Sequence, residues 1–178
     1  IPPPMIVVQG VPREAPGDRH TRGAVSFSLQ NGQHAVLTGA CNTGKTLLCL
    51  RLSGLVKTEP DEGEILLDGR PLSALTEQAR AQAVSYVPSD PALLFSGAMT
   101  SLAGELEISA CLLGTGDLPT QEAIERVSRC FALGPLLGRD PFTLSGGEAV
   151  RAGTALAALR RPRLMVLDQP FDFLDPAS

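Results

Sequence analysis

The stretch Gly39-Ala-Cys-Asn-Thr-Gly-Lys-Thr46 decides how this chain folds. It spells G-x-x-x-x-G-K-[ST], in which glycines let the backbone curl until successive N–H groups face one anion. Lys45 has the reach for the β- and γ-phosphates of a nucleotide, and the Thr46 hydroxyl is placed for Mg²⁺. A Gly-rich turn carrying a surface lysine would spell the same letters, so the flanks matter. Before it, HAVLT (34–38) reads as a strand; after it, KTLLCLRLSG has helical composition. A helix starting there would aim its positive N-terminal dipole at bound phosphate.

Working outward, the N-terminal third alternates strands and turns. MIVV is a short strand, PREAPGDRHTRG a polar loop, and AVSFSLQ alternates apolar with polar residues. Asn31-Gly32 is a hairpin turn signal ahead of HAVLT, and EGEILLDGRPL reads as strand, Asp-Gly turn and loop. A short helix is expected over 75–82 and a strand over Val84–Val87, ended by Pro88. Residues 98–137 carry no strand signal and read as helices, near 99–113 and 120–132, the second capped by Thr120, within a helical insertion over roughly 98–145. A third helix follows Gly146-Gly147 and ends at Pro162. RLMVLD then reads as a strand buried on both faces. The expected class is α/β, with a mixed sheet, an N-terminal antiparallel β-subdomain and an inserted α-helical subdomain.

Composition narrows the function classes. With 178 residues, the chain fits one domain by the prior of about 100–200 residues each. It is 43% hydrophobic and 19% charged, the balance of a soluble globular protein with a real core. The net charge of −4, with Lys and Arg dispersed, does not suit a phosphate backbone, so no nucleic-acid partner is expected. Cys41, Cys49, Cys111 and Cys130 form no C-x-x-C pair, and reduced thiols are expected rather than a metal cluster or disulfides. Apolar runs such as ISACLL (108–113) fall far short of the ~18 residues of a membrane span. IPPPM at the start is not a secretory signal. The absence of an initiator Met, and an ending at LDPAS straight after a motif, lead us to expect an excised fragment or a processed chain.

Two further motifs follow the Gly-rich loop. Leu144-Ser-Gly-Gly-Glu148 precedes a helix and exposes backbone N–H groups and a hydroxyl, a second anion-binding device. LMVLDQP (164–170) brings Asp168 to a strand end, where folds with such a loop place an acid for Mg²⁺.

In this order the three motifs resemble those of the ATP-binding domain of ABC ATPases, a family of P-loop NTPases. Its LSGGQ signature matches LSGGE with one change, and FDFLDP (171–176) resembles its D-loop. SYVPSDPALLFSG (85–97) and RDPFTLSGGE (139–148) look most like the ATPases of energy-coupling-factor and cobalt-type importers. The resemblance covers nearly the whole chain. It implies ATP and Mg²⁺ as ligands, a second ABC ATPase domain as head-to-tail partner, a transmembrane transporter subunit, and a cytoplasmic place at the inner face of the membrane. It assigns Gly39, Ala40, Cys41, Asn42, Thr43, Gly44, Lys45, Thr46 and Leu47 to nucleotide, and Thr46 and Asp168 to the metal. Ser145, Gly146, Gly147 and Glu148 would serve the partner's nucleotide.

The chain departs from that family in several places. Gln169 stands where a glutamate usually polarises the attacking water, and an amide cannot act as a carboxylate base. Ser89 stands where a glutamine usually touches Mg²⁺. No aromatic precedes Phe27, so the adenine contact is missing or replaced, Arg13 or an apolar side chain being the candidates. The family's switch histidine has no counterpart: His20 and His34 both precede the loop and read as surface or strand-edge residues. The expectation is an ATP-binding importer subunit with a weakened site of its own. The alternatives are a non-catalytic nucleotide-gated interaction module, an engineered Gln169, and a soluble ABC ATPase of repair or translation.

Overall fold

The computed structural model describes residues 4–12, 23–58, 62–114 and 119–170. Arg13, His20 and the FDFLDP segment lie outside them. The chain divides into two compact units, Ile1–Ala81 and Gln82–Ser178.

The first unit is built on an antiparallel sheet in the order β2-β1-β3-β4. Its strands are β1 (Ile6–Pro12), β2 (Ala24–Leu29), β3 (Glu64–Leu67) and β4 (Arg70–Pro71). Ile6 lies opposite both Leu29 and Leu67, so β1 is an interior strand. Alternation buries Ile6 and Val8. A register shift between Val8 and Val11 then returns Val11 to the same interior. Gly63 packs against that bulge with φ +92°, and a Cβ there would come within 2.2 Å of the Gln9 carbonyl oxygen. Asp68 and Gly69, both at positive φ, form the expected turn, and it closes a two-residue hairpin because Arg70–Pro71, expected as loop, pairs with β3. Helix α1 (Lys45–Leu52) buries Leu48 and Arg51. The Arg51 guanidinium donates to the Pro12 carbonyl at 2.6 Å and to Glu62 at 2.9 Å, tying the helix to the end of β1. Helix α2 (Glu77–Ala83) runs out of this unit.

In the second unit β5 (Val84–Val87) pairs in parallel with β6 (Leu164–Leu167), Tyr86 facing Val166. Between them come α3 (Leu102–Leu113), α4 (Thr120–Cys130) and α5 (Gly146–Ala158). Leu102, Leu106, Leu133, Ala152, Ala155 and Leu159 form the centre of one apolar cluster, consistent with a core short of aromatics. Glu105 is 1% exposed, and its carboxylate accepts from the Ser96 N–H (2.7 Å), the Ser96 hydroxyl (2.9 Å) and the Gly97 N–H (3.1 Å). It thereby fixes the loop that enters α3.

The structure differs from the sequence reading in three local respects. HAVLT forms no strand: residues 34–38 pair with no described strand, and Val36 is 78% exposed. An apolar run makes a strand only where a ladder satisfies its N–H and C=O groups. β6 is not buried on both faces: Val166 is buried, Leu164 and Met165 are half-buried, and Leu167 is 36% exposed. Thr120 is the first residue of α4 rather than its cap, the cap position falling to Pro119, whose fixed φ suits a helix entry.

Candidate nucleotide-binding site

The Gly39–Thr46 loop owes its shape to two left-handed residues, Asn42 (φ 61°) and Gly44 (φ 77°). Both types tolerate that conformation at little cost, which is why the spacing is legible in the sequence. Gly44 caps α1 without a side-chain bond, and no acidic residue sits in the first turn. The first amides of the helix therefore have no side-chain acceptor of their own and point their partial positive charge outward. Lys45 folds back over the loop, its Nζ donating to the carbonyls of Gly39 (2.9 Å) and Ala40 (2.6 Å). The Thr43 hydroxyl donates to Ala40 as well, at 2.9 Å. Gly39, Ala40, Cys41, Asn42 and Thr46 are exposed, and Leu47 is half-buried where the helix turns inward.

Ser89, the Ser145–Glu148 segment, Asp168 and Gln169 belong to the second unit. The parallel pairing ends at Val87 and Leu167, so Ser89 and Asp168 leave the sheet at the same end. Asp168 is 3% exposed, its N–H donates to the Val87 carbonyl at 2.9 Å, and Tyr86 donates its hydroxyl to Oδ2 at 3.2 Å. A buried carboxylate with a single side-chain hydrogen bond among the described residues suits a hard, oxygen-seeking cation such as Mg²⁺. Gln169 follows in the left-handed region at φ 51°, exposed to solvent. Ser89 is half-buried just ahead of the turn capped by Asp90.

At the start of α5 the anion-binding reading meets a complication. Ser145 is the N-cap of a complete capping box: its hydroxyl accepts from the Glu148 N–H, and its own N–H donates to Glu148 Oε2 at 2.8 Å. Arg139 reaches both oxygens of Glu148 at 3.2 Å. The helix terminus thus already holds one carboxylate. Hydrogen bonds from Ser145 are the largest influence keeping Glu148 below its usual pKa, and the charges of Arg139 and Arg151 add to them. Gly146 stays exposed. Sequence reasoning missed Tyr86 and Glu105. The first could have been noticed as the single tyrosine, two residues before Pro88.

The family described as ABC transporter matches residues 23–172. The chain belongs to that family. The molybdate/tungstate import ATP-binding protein WtpC of Thermococcus kodakarensis is 31% identical over 96% of this chain and 49% of its own length. The phosphonates import ATP-binding protein PhnC 1 of Natronomonas pharaonis is 35% identical, over 98% of this chain and 72% of itself. The energy-coupling factor transporter ATP-binding protein EcfA1 of Thermotoga maritima is 31% identical over 86% and 56%. The chain thus spans about half the length of the first of these relatives. The solved structure of cbiO1 from Clostridium perfringens, part of the ABC transporter complex cbiONQ, superposes with a TM-score of 0.80. At 19% identity, over 98% of this chain and 68% of that one, it shows the ABC ATPase fold. Among the described residues, no helix is long and apolar enough to cross a membrane.

Proposed function

We propose that the chain is the ATP-binding subunit, or ATP-binding half, of an importer. Mg-ATP sits between its Gly39–Thr46 loop and the Ser145–Glu148 segment of a second, head-to-tail ATPase domain. The observation that carries this reading is the start of α1, where uncapped amides and the Lys45 ammonium converge on one loop. On binding, Lys45 exchanges the carbonyls of Gly39 and Ala40 for phosphate oxygens, a charge-assisted contact. Asp168 would serve as a Mg²⁺ ligand, as would Thr46 by the family resemblance, and the cation would supply neutralisation of phosphate charge. Gln169 can orient a water through its amide but cannot take its proton, so this site holds ATP and cleaves it slowly. The import relatives, and the transporter complex that contains cbiO1, support a transmembrane subunit as partner and a place at the cytoplasmic face of a membrane.

Calorimetry and phosphate release test this together. The chain should bind Mg-ATP and show slow multiple turnover, and Lys45→Ala should weaken binding by at least about tenfold. Unchanged affinity in that variant would refute the loop assignment. Rapid phosphate release by the unmodified chain would refute the slow site. Gln169 and Ser89 together favour a second reading, a nucleotide-gated interaction module without hydrolysis. Phosphate release that stays absent when the partner domain is added would select it.

A further inference from the structure

Tyr86 has no part in the site as assigned so far. It stands opposite Val166 in the parallel ladder, and Asp168 lies two residues beyond Val166 on the same face of the sheet. That register, joining residues 82 positions apart, brings the phenol to 3.2 Å from Asp168 Oδ2. The phenol hydroxyl donates and the carboxylate accepts. The carboxylate is 3% exposed, and Tyr86 is its side-chain hydrogen-bond donor among the described residues. The contact is longer than the roughly 2.5–2.7 Å of a tight hydroxyl–carboxylate bond. It orients the group without saturating it.

We infer that Tyr86 is a positioning residue for the metal site. Its hydroxyl holds Oδ2 and so sets the rotation at which Asp168 presents its other oxygen to Mg²⁺. The effect reaches nucleotide only through the cation, because the phenol is assigned to the carboxylate and not to phosphate. A ring serving as packing alone would act equally with and without metal. This inference rests on the Mg-ATP reading above.

The test compares ATP affinity in excess Mg²⁺ with affinity in EDTA, for the full chain and for Tyr86→Phe, with Mn²⁺ binding followed by paramagnetic resonance. The phenylalanine keeps the ring and removes only the donor. Affinity in Mg²⁺ should fall by about two- to tenfold, as expected for one hydrogen bond, and Mn²⁺ affinity should fall alongside. Affinity in EDTA should stay within about twofold. In an Asp168→Asn background the same substitution should have no further effect, which tests the pairing itself. Equal losses in Mg²⁺ and EDTA, or an unchanged Mg²⁺ dependence, would overturn the inference. An unmodified chain that binds ATP without any gain from Mg²⁺ would overturn the metal reading, and this inference with it.

Discussion

At the scale of single residues, Gln169 and Gly63 show two ways in which an amino acid is constrained. Gln169 follows a buried acid at the end of β6, exposed and in the left-handed region. On the function proposed above, a carboxylate there would supply a base that the amide cannot, and general-base catalysis typically contributes ~10²–10⁴-fold. Gln169→Glu should then raise phosphate release by about a hundredfold with the proposed partner domain present, read in a steady-state assay. Gly63 is constrained by space and backbone together, since a Cβ would meet the Gln9 carbonyl oxygen at 2.2 Å and φ is +92°. Gly63→Ala should cost at least about 2 kcal/mol, visible as a lower denaturation midpoint in urea. Positions of this kind explain why the Gly39–Thr46 loop was legible in the sequence: its left-handed turns draw on few residue types. Tyr86 was not legible, because its importance depends on a register between strands 82 residues apart.

At the scale of elements, α5 begins with a box that is itself electrostatic. Ser145→Ala removes the hydroxyl that accepts from the Glu148 N–H and should cost about 0.5–2 kcal/mol in thermal unfolding. Glu148 has a folded pKa below its unfolded one, chiefly through Ser145. Its contribution is therefore complete above the unfolded value and fades as pH falls through the folded one. The stability gap between the parent and Glu148→Gln, which removes the charge that the Ser145 N–H meets, should accordingly narrow on acidification below the ordinary carboxylate range. Helix boundaries were only approximate: α4 begins at Thr120 with Pro119 as its cap, and α5 ends at Ala158, short of the expected stop at Pro162. HAVLT forms no strand, because an apolar run records only that a partner strand would suit it. Glu105 was missed for a related reason. A glutamate on a helix ordinarily faces water, and only the fold brings Ser96 and Gly97 around it.

At the scale of the whole molecule, the residues proposed for nucleotide and metal are divided between the two compact units. The Gly39–Thr46 loop belongs to the first, and Asp168 and the LSGGE segment to the second. The order of motifs along the chain was enough to expect the family, and the family match over residues 23–172 bears that out. The second unit depends on an aliphatic core, so Leu106→Ala, at a fully buried position among α3, α4 and α5, should cost about 2–5 kcal/mol. Circular dichroism on heating would register the loss. Inside that unit, Gly153 of α5 is packed so closely that a Cβ would lie 3.1 Å from Pro91 and 3.3 Å from Leu94. Dense contacts of this kind transmit displacement instead of absorbing it. Ser145 heads the same helix, and Ser89 stands two residues before Pro91. A tilt of α5 would carry the Ser89 turn with it, as one gear moves the next.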